Sequence, residues 1–443
     1  MKRSAWRYLW QSEDIRKKLI LTVLLLIVYR FASNIPVPGI DRTVISSIAQ
    51  GTGAGAGLFS LLDMLSGGTI AKFSILAMGV YPYITAQIIL QLLVPIIPAL
   101  ERRMKDNPRE GRVWMEKWTM LLTIPMALLS AVGQVTLFTN LAGRSVLTTP
   151  FGFTGVSLLP TLTVLISMVG GTMFGIWLGQ LISEYGIPNQ GLSLIIFAGI
   201  IANIPLGLRN VLADTQNGWW MFLMIMAILV ITIFAIVYVQ QGRRNVPVLF
   251  PGRRIGNRQS MPVRSNLPLM VNMAGMIPLI FAQTLLSFPA LVANFFLKPG
   301  VTTGFAAWVT QNFGSSGTFF PLFYFLMVVG FTFFYTDVLF TQQNYGDTLK
   351  KQGAQIPGVV RGNPTQKYLS RVQRRITLPG AVFLGVVAVL PYILSIFVPS
   401  ARNSFFVISA AGLLIVVGVV RDTFTIIETE LKVHGYDESL IKG

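Results

Sequence analysis

Ten apolar runs divide the chain, at roughly residues 19–35, 73–98, 118–138, 156–182, 191–206, 219–240, 269–297, 319–342, 376–398 and 404–420. A helix needs about 20 such residues to cross the hydrocarbon core of a bilayer. In lipid, each run must satisfy its own backbone groups, and a helix does this within one segment. The expected fold class is therefore all-α, a polytopic membrane protein of ten transmembrane helices. Composition agrees, with 53% hydrophobic and 12% charged residues and a mean hydropathy of +0.64. Soluble domains carry about twice that charge.

One apolar stretch is too short to cross. Residues 58–68 read Leu-Phe-Ser-Leu-Leu-Asp-Met-Leu-Ser-Gly-Gly, and Gly67-Gly68 end the run before the next begins near Phe73. Such a half-helix is tolerated at membrane depth only where its loose backbone groups are buried in protein or line a watery cavity. It marks the working part of a channel or transporter.

The net charge of +18 is informative through its distribution. Lys2, Arg3, Arg7, Arg16, Lys17 and Lys18 precede the first run, and Arg102, Arg103, Lys105, Arg109, Arg112 and Lys117 follow the second. Loop 241–268 holds Arg243, Arg244, Arg253, Arg254, Arg258 and Arg264 with no acid. Loop 343–375 holds Lys350, Lys351, Arg361, Lys367, Arg371, Arg374 and Arg375 against Asp347. The alternate loops carry only Arg42, Lys72, Arg144, Arg209, Lys298 and Arg402. The positive-inside rule then places both termini and the large basic loops in the cytoplasm. A cleaved signal peptide is the rival reading of residues 1–35. No A-x-A-like site follows, and nine further runs favour a retained first helix.

This pattern sets the expected organisation. Residues 1–18 form a basic cytoplasmic N-terminus, 19–206 a first half of five spans, and 207–218 a hinge loop. Residues 219–420 form a second half of five spans, and 421–443 a cytoplasmic tail. An odd number of spans per half makes the two halves inverted relative to each other. Pro247, Pro251, Gly252, Gly256 and Pro262 in one loop, and Gly353, Pro357, Gly358, Gly362 and Pro364 in the other, favour ordered turns or hairpins. Two readings of these loops stand: docking of a partner, or topology control alone, which needs only a few positives near the span ends.

Chemistry is otherwise sparse. With no cysteine, disulfides and thiol catalysis are excluded, and the single histidine, His434, cannot build a metal cluster. Neither G-x-x-x-x-G-K-[ST] nor H-E-x-x-H occurs, so the chain has no phosphate-cradling loop of that kind. Arg30, Asp63 and Asp337 are the main intramembrane charges, fewer than a proton- or sodium-coupled carrier places along its path. Arg30 and Asp337 lie near span ends, where snorkelling explains them, and Asp63 lies in the half-helix. The expectation is a non-enzyme without cofactor or metal, whose energy comes from a partner.

Several motifs then resemble one family. They are Asn34-Ile35-Pro36-Val37-Pro38-Gly39-Ile40-Asp41, Leu65-Ser66-Gly67-Gly68, Ala77-Met78-Gly79-Val80-Tyr81-Pro82-Tyr83-Ile84 and Gln91-Leu92-Leu93. Gly171-Thr172-Met173-Phe174, Trp177-Leu178-Gly179, Ile195-Ile196-Phe197-Ala198-Gly199-Ile200 and Asn272-Met273-Ala274-Gly275-Met276-Ile277-Pro278 follow in order. From about residue 19 to 420 the chain resembles the SecY/Sec61-alpha family of protein-conducting channels.

The resemblance implies roles. The segment Leu61, Leu62, Asp63, Met64, Leu65, Ser66, Gly67 and Gly68 becomes a plug, and Val80, Ile84, Leu192, Ile196, Ile280 and Ile415 a mid-membrane apolar ring. Val80 and Ile84, like Leu192 and Ile196, stand four apart and share a helix face. Such a ring excludes ions by dewetting. Ordinary helix packing is the alternative for any one of these aliphatics.

Gln87, Gln91, Asn272 and Gln283 fall in the family's lateral-gate helices, where polar groups avoid lipid. Interhelical hydrogen bonding explains them as well. Pro278 leaves the seventh helix one backbone bond short, for a helix that bends or one statically kinked.

Arg253, Arg254, Arg258 and Arg361 are the implied docking residues for the SecA ATPase and the translating ribosome. Where the family reads Pro-Gly-Ile-Arg-Pro-Gly, this chain reads Pro357-Gly358-Val359-Val360-Arg361-Gly362, which shifts the arginine by one place. Loop 241–268 is longer than the family's, and Pro188 and Gln190 alter the turn before Leu192. SecE and SecG subunits, signal sequences and nascent polypeptides are the further implied partners. Nucleic acid enters only as ribosomal RNA at the basic loops. The implied location is the bacterial inner membrane, and the implied activity is translocation of unfolded polypeptides and lateral release of apolar helices. The alternative function is a secondary transporter of a small solute.

Overall fold

The computed structural model describes residues 12–41, 43–45, 69–70, 72–142, 145–148, 151–152, 155–212, 218–251, 254–255, 258–259, 263–296, 304–313, 319–397 and 410–433. The helices are α1 (Glu13–Ala32), α2 (Tyr81–Ile96), α3 (Pro98–Asp106), α4 (Pro108–Ala142), α5 (Leu158–Tyr185), α6 (Gly191–Leu212) and α7 (Gly218–Gln241). After four strands come α8 (Ile277–Phe296), α9 (Phe305–Phe313), α10 (Phe320–Gln343), α11 (Tyr345–Lys351), α12 (Asn363–Phe397) and α13 (Ala410–Val433). Each of the ten apolar runs overlaps one long helix: α1, α2, α4 to α8, α10, α12 or α13.

Five stretches among the described residues are long and apolar enough to span by themselves: Glu110–Thr139, Leu158–Tyr185, Phe222–Gln241, Phe320–Lys351 and Asn363–Leu394. Among the described residues α6 carries the apolar stretch Gly191–Ala202, α1 bears charges in its end turns, and α13 has Arg421 and Asp422 at mid-helix. Threonines inside the helices donate to the carbonyl four residues back, as Thr123 does to Thr119 at 2.6 Å and Thr332 to Val328 at 2.6 Å. That bond removes a hydroxyl that nothing else in an apolar setting would satisfy.

Hydropathy misplaces several boundaries. The run from 73 begins with turns, and the helix starts only at Tyr81. The turn is held by bonds of Ile75 N–H to Ile35 O at 3.0 Å and Val37 N–H to Phe73 O at 3.0 Å. The run from 269 opens with the end of a strand, and helix α8 starts at Ile277. Pro278 is thus the second residue of α8, where its missing N–H has no intrahelical partner to lose. It puts no kink there, and Pro289 is the proline inside the helix. Loop 343–375 is shorter than expected, because α12 already begins at Asn363.

Contacts group the chain into two compact units. The first comprises Met1–Ala227, Thr284–Phe320 and Ile393–Gly443; the second comprises Ile228–Gln283 and Pro321–Tyr392. In the first, Val37, Ile70, Phe73, Met78, Ala131, Phe138, Leu147, Val164 and Met168 build a shared core. Phe73 and Phe138 meet edge to face at 5.8 Å. A smaller cluster of Ile15, Ile427 and Leu431 joins α1 to α13, beside a Lys18–Glu430 ion pair of 2.5 Å.

The second unit is organised around an antiparallel pair, β1 (Arg243–Phe250) with β4 (Val263–Met270), running in register from Arg243↔Met270 to Phe250↔Val263. A second, two-residue pair, β2 (Arg254–Ile255) with β3 (Arg258–Gln259), continues between them. The ordered hairpin expected for loop 241–268 is therefore present. Alternation decides which side is covered: Val246 and Val248 are buried while Asn245 and Pro247 are exposed. They pack with Phe340, Leu349, Ile356, Leu369 and Val372. A bridge of two 2.8 Å bonds between Leu249 and Gln355 ties the two basic loops together, which sequence separation concealed.

Candidate functional site

The half-helix, residues 58–68, lies outside the described residues. Its C-terminal continuation is strongly held. Thr69 Oγ1 donates to Leu76 O at 2.8 Å, and Thr69, Ile70, Phe73, Ser74 and Leu76 are buried. On α5, Gly171 lies against Ile75 O too closely to admit any side chain.

The aliphatic candidates are placed by four helices and one helix cap. Val80 is buried at the N-cap of α2 rather than within it, and its carbonyl accepts from Ile84 N–H at 3.2 Å. That bond keeps the two residues one turn apart on a common side. Leu192 and Ile196 are half-buried one turn apart on α6. A Cβ on Gly179 of α5 would meet Leu192 Cδ2 at 2.7 Å, so Leu192 fills the groove that this glycine leaves. Leu192 thereby has a packing role as well. Ile415 is buried on α13, which packs against α6. Ile280, in the second unit, is the fourth residue of α8 and is buried.

Among the polar candidates, Gln87 and Gln91 are half-buried, four apart on α2. Gln283 is buried on α8. Asn272 is not helical: it sits in the turn before α8, buried, with its amide donating to Gly275 O at 3.1 Å. Its Oδ1 has no hydrogen-bond partner among the described residues.

Of the basic candidates, Arg253 lies outside the described residues. Arg254 and Arg258 occupy β2 and β3, whose backbones pair as Arg254↔Gln259 and Ile255↔Arg258. Arg361 is exposed in the turn that leads into α12. Gly358 and Gly362 adopt φ of 79° and 93°, so the altered Pro357–Gly362 sequence still closes as paired tight turns.

Sequence reading missed the partner of Asp337. Arg374 of α12 donates to its two carboxylate oxygens at 3.2 and 2.8 Å. Both side chains lie at helix surfaces, and 37 residues separate them. Hydropathy detects each charge but not the pairing. No group of three or more histidines, cysteines, aspartates or glutamates that could hold a metal occurs among the described residues.

Comparison with known proteins adds the last observation. A family model described as SecY matches residues 74–424. The protein translocase subunit SecY of Streptomyces scabiei is 36% identical over 442 residues, covering 98% of this chain and 99% of that protein. The protein of the same name from Aquifex aeolicus is 36% identical over 429 residues, covering 96% of each. A solved protein-conducting channel superposes with a TM-score of 0.65 at 18% identity, covering 97% of this chain and 98% of that one. A structure from work on the plug domain of SecY and its closed channel superposes with a TM-score of 0.63 at 18% identity. These last two compare folds, and the relatives compare sequences over the same length. The chain belongs to the SecY family.

Proposed function

We infer that this chain forms the protein-conducting channel of a bacterial translocase. Unfolded secretory polypeptides cross through it, and apolar helices leave it sideways into lipid. The observation that carries this reading is the 36% identity to translocase subunits along 98% of the chain. Family membership favours the channel over a small-solute carrier. Translocase subunits act in multi-subunit assemblies. SecE, SecG, the SecA ATPase and the translating ribosome are the partners proposed for this one, in the bacterial inner membrane with both termini cytoplasmic.

Within that function, Val80, Ile84, Leu192, Ile196, Ile280 and Ile415 are proposed as the ring that seals around a moving chain without gripping it. Residues 58–68 are proposed as the plug. Gln87, Gln91, Asn272 and Gln283 are proposed for the lateral gate, and Arg253, Arg254, Arg258 and Arg361 for docking. The order of the ten apolar runs supports two inverted halves, 19–206 and 219–420, joined at 207–218. The joined basic loops of the second unit support docking, because topology control alone requires no folded platform.

Purified protein in vesicles provides the test. A secretory precursor should enter only with this chain, its partner subunits, SecA and ATP. Uptake of a small solute without those partners would overturn the reading. Ile84→Asn or Ile280→Asn should raise ion leak, and unchanged leak would remove those residues from the ring. Charge reversal at Arg254, Arg258 and Arg361 should slow translocation while membrane insertion of the protein stays normal. Wild-type translocation in that variant would remove the docking role.

A further inference from the structure

Between the last strand of the basic hairpin and helix α8 there are only six residues, 271–276. Within its own unit this connector is held at its strand end, and Met273 further along packs against the core of that unit. Val271 N–H donates to Gly242 O at 3.0 Å, closing the base of the hairpin. The side-chain amide of Gln373, on α12, donates to Met270 O at 3.1 Å and to Thr377 Oγ1 at 3.3 Å. Also on α12, Gly380 approaches so closely that a Cβ there would stand 2.7 Å from Val271 O and 3.0 Å from Val271 Cγ1. One turn of the same helix thus carries Gln373 against the strand end and Arg374 against Asp337 of α10.

Gln373 is an unusual choice for this place. It is 2% exposed, and its Oε1 has no hydrogen-bond partner among the described residues. A buried amide oxygen without a donor is unfavourable, and an apolar side chain of similar length would avoid the cost. The apolar replacement would forfeit the bond to Met270 O. Beyond the connector, Leu279 and Ile280 N–H groups bond back to Met276 O at 3.2 and 3.4 Å, so the first turn of α8 begins five residues after Val271.

We propose that Gln373 and Gly380 are positioning residues of a rigid joint that makes the start of α8, with Ile280 and Gln283, move with the basic hairpin. A partner pressing on the hairpin then displaces the start of α8, where a flexible connector would absorb the push. This deepens the channel reading and rests on its docking role for the basic loops.

The test separates docking from transmission. Gln373→Met keeps side-chain length and removes the bond to Met270 O, and Gly380→Ala crowds Val271. In vesicles driven by purified SecA and ATP, each variant should lower the maximal translocation rate at least fivefold. The SecA concentration giving half that rate should stay within twofold of wild type. Because the chain has no cysteine, an environment-sensitive dye on Leu285→Cys reports the response of α8 directly. Its signal change on SecA addition should be lost in both variants. An unchanged rate and dye response would overturn the joint. So would a half-maximal SecA concentration rising in parallel with the lost rate, since the hairpin would then be misfolded. A wild-type dye that ignores SecA, with translocation intact, would also overturn the joint. If wild-type translocation itself needs no SecA, the docking reading falls and the joint with it.

Discussion

Helices α7 and α12 invert the rule that apolar residues are inside. The most apolar window of α7, within Phe222–Gln241, is only 17% buried in the chain, whereas that of α12, within Asn363–Leu394, is less apolar and 56% buried. In water the more apolar helix would be the better covered one. In a bilayer the lipid already accepts apolar surface, so high hydropathy reports lipid contact. Burial then follows small residues that allow close approach. On α12, a Cβ at Gly385 would meet the ring of Phe325 at 2.7 Å, and one at Gly380 would meet Val271 O at 2.7 Å. On α7, Val230, Ile231, Phe234 and Tyr238 point outward and are exposed.

This contrast is breakable in the middle of the exposed face of α7. Val230→Arg places a charge near the middle of α7, at about 2.5–3.5 kcal/mol against insertion. Glycosylation mapping of the nascent span should show a large drop in inserted fraction, and normal insertion would mean that this face does not meet lipid. Gly385→Val tests the opposite helix, where forcing a side chain against Phe325 should cost about 1–3 kcal/mol. Thermal unfolding in detergent should show the loss, while Phe234→Leu on α7 stays within about 0.5 kcal/mol of wild type. Equal shifts for the two variants would erase the difference between the helices. A smaller effect than at Gly385 is expected at the Asp337–Arg374 pair, whose side chains are 44% and 66% exposed. Asp337→Asn should lower stability by only about 0.2–1 kcal/mol, with added salt shrinking the difference.

The same distinction explains which parts of the fold were legible. Ten apolar runs and alternating basic loops are local properties of a one-dimensional string, and each run overlaps a helix. Boundaries were legible only where an apolar run and a helix coincide. At residues 73–80 an apolar run folds as buried turns, with Phe73 at φ 43° and Gly79 at φ 55°. At residues 269–270 an apolar run is the end of a strand. Hydropathy is blind to both, since a buried turn, a strand and a span are equally dry. Pro278 illustrates the cost: a helix taken to start at 269 makes it interior, and a helix starting at Ile277 makes it a first-turn proline.

The candidate site divides in a similar way. The aliphatic, polar and basic positions were found by motif and order along the chain. Their surroundings were not. That Asn272 stands outside a helix, and that Leu192 fills the space left by Gly179, depends on neighbours distant in sequence. The bridge from Leu249 to Gln355, the ion pair from Asp337 to Arg374 and the bond from Gln373 to Met270 join residues 106, 37 and 103 positions apart.

By itself the sequence determined the number, order and composition of the apolar segments, the charge of the loops between them, and kinship with the SecY family. It does so because lipid judges each segment separately, and because motifs survive in order along a chain. Only the tertiary structure decided which helix faces are covered, that the two basic loops share one core, and that α12 grips the connector ahead of α8. Those outcomes depend on close approach between distant residues, and hydropathy carries no record of who meets whom.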